Sequence, residues 1–367
     1  MWICEQEQLL STDQTSAKDP QNKDKNRYSN ILPLEHSRVK LENAKNDYIN
    51  ANYIHGYNKK NQFIAAQGPL ANTANDFWEM VWEQNSISVV MTTKLIENGR
   101  LKCDQYWPNV ENSKQYDDIR VETIDEIDSD CGSFLERTMT LTKKACKPNA
   151  KESPKRPCAL PSPPKPNSMQ KADTTPRDCK TKSPSNTSQA TSPKVKVFHE
   201  NSLTTSPTVK AFRDRAVTKS VSEESLERSS DEMPVDDEQE ETRTIVQYYY
   251  KAWPDHGVPS SPNGVIEMLG AINERQEAQA GAGPIVVHCS AGVGRTGTMV
   301  AIDTAIKAVL DPKNGFVDFP RVILDLRRQR QMMVQSLSQY AFCYYALDEF
   351  VEKDMPDNDD GREDNSA

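Results

Sequence analysis

The sequence predicts an α/β fold in a single domain, a mixed β-sheet flanked by helices, with a long disordered insert in its middle. Apolar segments typical of strands alternate with segments of helical periodicity. Between them, residues 143–241 are dense in Pro, Ser, Thr and Lys, turn acidic towards their end, and contain few large apolar side chains. Such a composition buries too little apolar area to offset chain entropy, so we expect disorder there. The rest of the chain has the size of one domain.

The overall composition indicates a soluble protein of a reducing compartment. The 45 Lys and Arg and 54 Asp and Glu residues give a formal net charge of -9, so we expect no nucleic-acid partner. The opening MWICEQEQLL has neither a basic leader nor an apolar run of signal-peptide length, and we expect no membrane span. The eight cysteines show no paired CxxC spacing, which argues against zinc and disulfide frameworks and favours a cytoplasmic location.

The first part of the domain is predicted to cover residues 23–142, after a partly disordered N-terminal lead, residues 1–22. The segment FIAAQGPL is typical of a short strand that ends at Gly68-Pro69. Asn72 is then predicted to cap a helix through TANDFWEMVWEQ. The apolar segment SISVVMTT predicts the next strand.

The two segments that flank the insert predict a hairpin. SFLERTMTLTKK before it and ETRTIVQYYYKAWP after it both alternate Thr, Val, Ile and Tyr in the manner of strands. An insert at the hairpin tip is tolerable because loop-closure entropy grows slowly with loop length. Since the insert precedes the segment AWPDHGVP by only a few residues, we hypothesise that it tunes substrate access.

The second part of the domain is predicted to cover residues 242–354, followed by a disordered tail, residues 355–367. PIVVHC is a further apolar strand. Three segments then carry apolar residues at helical spacing: TGTMVAIDTAIKAVL, FPRVILDLRRQR and SQYAFCYYALDEFVEK.

The segment PIVVHCSAGVGRTG, Pro284 to Gly297, places a cysteine between an apolar strand and a helix. We expect the backbone N–H groups that follow it to turn inward, because Gly292 and Gly294 permit unusual backbone angles. Inward amides at a helix N-terminus attract anions and lower the pKa of a thiol. Cys289 is therefore predicted to be a thiolate nucleophile inside a phosphate site.

Two residues after the loop fit the same chemistry. The planar guanidinium of Arg295 suits two phosphate oxygens at once, and the Thr296 hydroxyl is placed to donate a hydrogen bond to the sulfur. The alternative is a structural cysteine before a glycine-rich turn. The complete Cys-x5-Arg pattern between a strand and a helix favours phosphoryl chemistry, and the missing Gly-Lys-Ser/Thr ending excludes a nucleotide P-loop.

The segment WPDHGVP, Trp253 to Pro259, supplies a candidate general acid. Asp255 lies on a loop punctuated by Pro and Gly beside an aromatic residue, where a carboxyl is partly desolvated. Nucleophilic attack on a phosphate ester needs such a group, to protonate the leaving oxygen. An ordinary turn aspartate is the alternative, and the presence of the Cys289 loop favours the acid.

These motifs make the sequence resemble the tyrosine-specific, non-receptor protein tyrosine phosphatases. The other similar segments, in the family's order, are KNRYSNILP, NDYINANYI, AAQGPL, TANDFWEMVWEQ, LKCDQYWP and MVQSLSQYAF. The resemblance implies a highly twisted sheet and hydrolysis of phosphotyrosine in proteins. Cys289 would attack the phosphate while Asp255 protonates the phenolate, and water would then release phosphate from a cysteinyl-phosphate intermediate. No metal or organic cofactor is implied.

The resemblance also implies substrate-binding roles. Tyr28 would stack on the substrate ring and set the pocket depth, although a plain core aromatic is the alternative. Asn30 stands where many relatives carry an aspartate that grips the substrate's main chain. Gln335 would position the hydrolytic water with support from Gln339, unless it is merely a solvated helix-end residue. The phosphate would lie against the loop residues Ser290, Ala291, Gly292, Val293 and Gly294.

Three supporting residues follow from the same resemblance. Glu97 and Lys102 fall where the family has a loop that helps to hold the arginine and the aspartate, an exposed ion pair being the alternative. His288 is expected to fix local hydrogen bonds and not to act as a base, because a thiolate needs none.

The finer resemblance is to the phosphatases that carry tandem SH2 domains, of the corkscrew type, through KNRYSNILPLEHSRVKL, VVMTTKLIENGRLKC and the insert. No SH2 domain is present, so we expect a catalytic domain only, acting on phosphotyrosine-containing proteins in receptor tyrosine kinase signalling. The insert also offers LPSPPKP, Leu160 to Pro166, to SH3-type domains. Its Ser-Pro and Thr-Pro pairs, open to proline-directed kinases, begin at Ser153, Ser162, Thr175, Ser183, Ser192 and Ser206.

Two other functions stay open. The first is a phosphotyrosine-binding adaptor, against which the intact set of Cys289, Asp255, Arg295 and Gln335 argues, since a pure binder needs no acid. The second is a Cys-x5-Arg phosphatase that acts on phosphoinositides or phosphoserine, against which the Tyr28 loop argues.

Overall fold

A nine-stranded mixed sheet organises the described residues, 12–144 and 240–354 of a computed structural model. Its strands are β1 (Arg38–Lys40), β2 (Tyr48–Gly56), β3 (Lys59–Ala66), β4 (Ser88–Met91), β7 (Ser113–Tyr116), β8 (Ile119–Asp128), β9 (Phe134–Lys144), β10 (Glu240–Tyr250) and β11 (Ile285–His288). The order across the sheet is β1-β2-β3-β11-β4-β10-β9-β8-β7. A separate small hairpin consists of β5 (Ile96–Glu97) and β6 (Arg100–Leu101). The predicted mixed sheet flanked by helices is confirmed.

The helices are α1 (Thr15–Lys18), α2 (Ala74–Glu83), α3 (Asn263–Ala278), α4 (Gly294–Leu310), α5 (Phe319–Gln329) and α6 (Leu337–Asp354). Short 3-10 turns cover Pro20–Lys25 and Glu35–Ser37. Within the described ranges, no helix combines the length and the apolar character that crossing a membrane requires.

The core lies on both faces of the sheet. Alternate residues of β11 divide between two hydrophobic clusters: Ile285 and Val287 pack with α3 to α6, whereas Val286 packs with α2 around Trp78. This alternation is what the two-residue period of a strand requires when both faces are covered. The continuous apolar run PIVVHC is the sequence signature of that burial.

Four parallel strands determine where the functional loops meet. β11 is parallel to both β3 and β4, and β4 is parallel to β10. The carboxyl ends of parallel strands lie at one edge of a sheet, so the segments after Ala66, Met91, Tyr250 and His288 come together there.

The hairpin predicted around the insert is present, and its strands run past the domain bounds predicted at residues 142 and 242. β9 and β10 pair antiparallel from Phe134↔Tyr250 to Lys144↔Glu240. The strands therefore extend two residues further on each side than residues 142 and 242, because the cross-strand ladder continues into polar residues at the tip. The remainder of the predicted insert, the first 11 residues of the lead and the tail 355–367 lie outside the described residues.

Two further details correct the sequence-based predictions. Asn72 does not cap α2: its side-chain amide donates to the Asp24 carbonyl at 3.0 Å, and the residue that precedes the helix is Thr73. The strands β1, β2 and β5 to β8 and the helices α1 and α3 were not predicted at all.

Candidate active site

Cys289 lies directly after β11, at the base of a loop that leads into α4. Its side chain is buried, and the backbone N–H of Gly292 donates to the sulfur at 3.2 Å. Gly292 has a φ of +72°, and a Cβ atom built there would lie 2.1 Å from the Ala66 carbonyl oxygen of β3. Only glycine satisfies both the left-handed backbone and this close approach. The loop is thereby held with its amides towards the sulfur.

A buried arginine that the sequence analysis missed clamps the same loop from behind. Arg330 donates to the carbonyl oxygens of Ala291 at 3.0 Å and Gly292 at 2.8 Å. The side-chain oxygens of Asn50 and Asn52 of β2 accept from its Nη2 and Nη1 nitrogens at 2.8 and 2.7 Å. Because the clamp draws the carbonyl groups away from the centre of the loop, the amides are left to face an anion. The two asparagines two positions apart in NDYINANYI were the available signal, since they share one face of a strand.

The pKa of the Cys289 thiol lies below its ordinary value. Burial on its own raises this pKa, and the Thr296 hydroxyl, the amides of Thr296 and Gly292 and the charge of Arg295 together outweigh burial. The Thr296 hydroxyl is buried and makes no hydrogen bond that meets ordinary geometric limits among the described residues, so its proton is free to turn to the sulfur. This environment favours a thiolate.

Arg295 is held by a carboxylate with two parallel hydrogen bonds. Its guanidinium contacts the Glu97 oxygens at 2.5 and 3.0 Å, and Glu97 is almost fully buried. Further bonds reach the carbonyl oxygens of Thr92 at 2.9 Å and Pro254 at 3.1 Å. The structure thus brings Arg295 and Glu97 together and ties the arginine to the loop that carries Asp255.

The acid loop is anchored by Trp253. This side chain is buried, donates to the Gly257 carbonyl oxygen at 3.2 Å, and lies with its ring 5.8 Å from the Arg295 guanidinium carbon. Asp255, at the exposed end of the loop, pairs with Lys94 at 3.3 Å. A second contact, at 3.2 Å, joins His256 to Asn98 of the β5–β6 turn.

The ion pair to Asp255 comes from Lys94, just before the β5–β6 hairpin. The supporting role expected of Lys102 stays a prediction. Lys102 contributes its main chain: its carbonyl oxygen accepts a hydrogen bond from the Ser290 hydroxyl at 2.9 Å.

His288 is fully buried and held by two hydrogen bonds. Its Nε2 lies 2.7 Å from the Tyr106 hydroxyl and its Nδ1 lies 3.2 Å from the Cys289 carbonyl oxygen. Burial lowers the pKa of His288 to about 4, so the ring is neutral near neutral pH. Its position fits the predicted role in fixing local hydrogen bonds.

The rim of the pocket contains Tyr28. Its hydroxyl lies 2.8 Å from the Ser290 hydroxyl, beside the phosphate loop. Arg27 secures this segment with hydrogen bonds to the carbonyl oxygens of Gly68 at 3.0 Å and Pro69 at 2.7 Å. Asn30, two residues after Tyr28, is exposed at the surface.

Gln335 and Gln339 lie above the start of α4. A Cβ atom built on Gly294 would be 3.3 Å from the Gln335 side-chain oxygen and 3.0 Å from the Gln339 side-chain nitrogen. The Gln335 backbone N–H donates to the Gln339 side chain at 2.9 Å, and the Val334 N–H donates to the Val293 carbonyl at 3.1 Å. The structure therefore brings both glutamines to the phosphate loop.

Comparisons with known proteins agree with this geometry. The family model described as protein-tyrosine phosphatase matches residues 22–156 and 185–349. The chain is similar to the receptor-type tyrosine-protein phosphatase eta of Gallus gallus, 33% identical over 330 residues, which cover 89% of this chain and 16% of that protein. It is also similar to the receptor-type tyrosine-protein phosphatase alpha of Homo sapiens, 31% identical over 337 residues, 91% of this chain and 30% of that protein.

The chain thus spans less than a third of the length of these relatives. Both carry receptor-type names, so they do not support the finer resemblance to the SH2-containing, non-receptor subfamily. What the family model and the relatives share is the domain itself, over nearly all of the described residues. The chain belongs to the protein-tyrosine phosphatase family.

Proposed function

We propose that this chain hydrolyses phosphotyrosine in proteins through a cysteinyl-phosphate intermediate. The observation that carries the proposal is the low-pKa Cys289 thiol, set in a loop of inward amides beside an arginine that Glu97 holds. A thiolate in such a site is a nucleophile already placed against the phosphorus of a bound phosphate. The amides and the guanidinium supply the positive charge that a loose phosphoryl transition state requires, so the proposal needs no metal or organic cofactor.

The first step transfers the phosphoryl group to the enzyme. The Cys289 sulfur forms a bond to phosphorus while the bond to the tyrosine oxygen breaks, and Asp255 donates its proton to that oxygen. Arg295 holds two of the phosphoryl oxygens. Its hydrogen bond to the Pro254 carbonyl oxygen keeps the acid loop close to the reacting group.

The second step releases phosphate. A water molecule attacks phosphorus, Asp255 takes a proton from it, and the sulfur–phosphorus bond breaks to give the thiolate. Gln335, beside Gly294, is the group proposed to orient this water, with Gln339 in support. The Thr296 hydroxyl stabilises the sulfur as it leaves.

The preference for phosphotyrosine rests on Tyr28. Its ring stands at the rim, with its hydroxyl fixed 2.8 Å from Ser290, so a substrate must reach past it to the sulfur. A phosphotyrosine side chain is long enough and offers a ring for stacking, whereas phosphoserine is short and has none. Asn30 in place of an aspartate predicts a looser grip on the substrate's main chain.

Phosphate release from a substrate panel tests the proposal. Purified chain is incubated with phosphotyrosine and phosphoserine peptides and with phosphoinositides, as wild type and as Asp255→Ala and Cys289→Ser. We expect release from phosphotyrosine peptides only, a large loss of kcat in Asp255→Ala and none released by Cys289→Ser. Binding without release by the wild type would instead identify an adaptor.

The cellular setting is proposed from chemistry alone. A catalytic thiolate must stay reduced, which favours the cytoplasm. The sequence resemblance alone suggests phosphotyrosine-containing proteins as partners, a place in receptor tyrosine kinase signalling and membership of the SH2-containing subfamily. The composition of the insert alone suggests contacts with SH3-type domains or proline-directed kinases. Co-purification with phosphotyrosine proteins by the Cys289→Ser variant, with and without residues 145–239, tests the partner proposals.

A further inference from the structure

A line of buried polar side chains links the sheet interior to the Cys289 carbonyl group. Arg137 of β9 bonds to the side-chain oxygen of Gln247 on β10. The Gln247 amide nitrogen lies 2.5 Å from the Tyr106 hydroxyl, which lies 2.7 Å from Nε2 of His288. The Nδ1 atom of His288 then faces the Cys289 carbonyl oxygen at 3.2 Å. We call these four side chains, Arg137, Gln247, Tyr106 and His288, the polar chain.

The guanidinium fixes the direction of every hydrogen bond in the polar chain. Arginine carries donors only, so Gln247 must turn its oxygen towards Arg137 and its NH2 group towards Tyr106. The Tyr106 oxygen accepts from Gln247, and its own proton therefore points at Nε2 of His288. Because Nε2 of His288 accepts a hydrogen bond from the Tyr106 hydroxyl, Nε2 carries no hydrogen. The neutral ring therefore carries its hydrogen on Nδ1, which donates to the Cys289 carbonyl.

Burial leaves no other arrangement that satisfies these groups. Gln247, Tyr106 and His288 are each 0% exposed, so solvent does not supply a missing partner. If His288 carried its hydrogen on Nε2, the Tyr106 oxygen would accept hydrogen bonds from both Gln247 and His288. The hydroxyl hydrogen of Tyr106 would then be buried without a partner, which is unfavourable. The Arg137 guanidinium is kept in place by the Glu126 carboxylate, at 2.5 Å, and by the Trp107 ring, 4.5 Å away.

We propose that Arg137 is a positioning residue which, through Gln247 and Tyr106, holds His288 in the Nδ1–H tautomer and so anchors the Cys289 carbonyl at the end of β11. The inference deepens the proposed function, on which its catalytic consequence rests. The anchor matters because the Cys289 carbonyl lies at the point where strand becomes phosphate loop, and a shift there moves the sulfur relative to the amides.

The substitution Gln247→Glu tests this directly, because it reverses the polar chain with almost no change in shape. A carboxylate accepts at both ends, so it takes hydrogen bonds from Arg137 and from the Tyr106 hydroxyl. The Tyr106 oxygen must then accept from His288, which moves the ring hydrogen to Nε2. The tautomer is measured by 15N NMR of histidine-labelled protein, with the His288 signal assigned from a His288→Asn sample. We expect Nδ1–H in the wild type and Nε2–H in Gln247→Glu.

Arg137→Met is the second variant, and Arg243→Met is its matched control. Arg243 also lies on the β9–β10 hairpin, stacks over a tryptophan (Trp82, 3.9 Å) and pairs with a carboxylate (Glu241, 2.7 Å), but it has no bond to the polar chain. We expect a mixture of tautomers in Arg137→Met and the wild-type tautomer in Arg243→Met. For Gln247→Glu, we expect kcat on a phosphotyrosine peptide to fall roughly tenfold with KM unchanged. A fall of that size corresponds to the loss of one buried hydrogen bond, the one from His288 Nδ1 to the Cys289 carbonyl.

A purely structural role for Arg137 would lower stability in both variants and leave the tautomer unchanged. Retention of Nδ1–H in Gln247→Glu and in Arg137→Met would therefore overturn the proposal, and so would an altered tautomer with unaltered kcat. The NMR measurement needs no turnover. If the wild type released no phosphate, the proposed function would fail while the tautomer result still decided what Arg137 does.

Discussion

At the scale of single residues, the ionisation of Cys289 depends on opposing influences that the structure separates. Burial opposes the thiolate, and the surrounding donors and the Arg295 charge favour it. A buried thiol without such donors behaves in the opposite way: burial raises the pKa of Cys343, on α6, well above its ordinary value. The same type of residue is thus reactive or inert according to what faces its sulfur.

Thr296→Val removes the Thr296 hydroxyl with little change in side-chain shape. Since this hydroxyl lowers the pKa of the Cys289 thiol, we expect the thiol pKa to rise in the variant. The measurement is the rate of alkylation by iodoacetamide against pH, whose rising limb should move to higher pH. Thr298→Val, where the hydroxyl donates to the Gly294 carbonyl at 3.0 Å, is the control and should leave the limb in place. Equal profiles for wild type and Thr296→Val would contradict the assignment.

At the scale of elements, the acid loop and the β5–β6 hairpin are joined by the Lys94–Asp255 pair. Both side chains are substantially exposed, so the pair is worth little in stability but still limits where Asp255 points. We expect Lys94→Met to lower kcat about threefold on a phosphotyrosine peptide, whose poor leaving group needs the acid. On p-nitrophenyl phosphate, which has a good leaving group, the change should be smaller.

Lys102→Met is the matched control for that experiment. It removes the same charge from the other end of the hairpin, where the side chain makes no ion pair within the described ranges. A larger fall of kcat in Lys102→Met than in Lys94→Met would support the role that the sequence resemblance assigns to Lys102. An unchanged kcat in Lys94→Met would show that the observed pair has no function.

Two glycines with similar backbone angles allow the cost of a left-handed backbone to be distinguished from the cost of a steric clash. Gly292 in the phosphate loop has a φ of +72° and Gly257 in the acid loop has a φ of +79°. A Cβ atom at Gly257 meets nothing within 4 Å, whereas at Gly292 it meets the Ala66 carbonyl oxygen. We expect Gly257→Ala to cost about 1 kcal/mol of unfolding free energy, from the left-handed backbone alone, and Gly292→Ala about 3 kcal/mol or more. Urea denaturation measures the free energy of unfolding of both variants. Equal losses would show that the phosphate loop shifts to accept the added methyl group at little cost.

The strand–loop–helix unit around Cys289 could be predicted because its signals are local. An apolar β-branched run, two glycines and a helical period follow one another within PIVVHCSAGVGRTG and TGTMVAIDTAIKAVL. The Arg330 clamp was not predictable in the same way, because its partners Asn50 and Asn52 lie 280 and 278 positions earlier and only the sheet brings them together. The helix α3 did carry a helical pattern, in Val265, Leu269 and Ile272, that the sequence analysis overlooked.

At the scale of the whole molecule, the site is a consequence of the four parallel strands. Glu97 follows β4, Asp255 follows β10 and Cys289 follows β11, so residues far apart in sequence meet at one edge. This convergence is non-local, and the sequence indicated it only through the family's order of motifs.

The insert is attached at the end of the β9–β10 hairpin opposite the acid loop. Lys144 and Glu240 face each other in the ladder, and the eleven residues of β10 separate them from the loop after Tyr250, a distance of roughly 30 Å. The few residues that separate the insert from the acid loop in sequence are therefore an extended strand, so closeness in sequence is not closeness in space. The hypothesis that the insert tunes substrate access stays a prediction.

Replacement of residues 145–239 by Asn-Gly, a turn that suits a hairpin, tests this on the whole molecule. The two strand ends are already paired, and a shorter connection lowers the entropy cost of closing them, so we expect an unchanged or higher melting temperature. We also expect unchanged kcat on p-nitrophenyl phosphate and on several phosphotyrosine peptides, because no residue of the described site is altered. A loss confined to the peptides would restore the access hypothesis. A loss on both substrates would show that the insert supports the domain itself, which the geometry of the hairpin argues against.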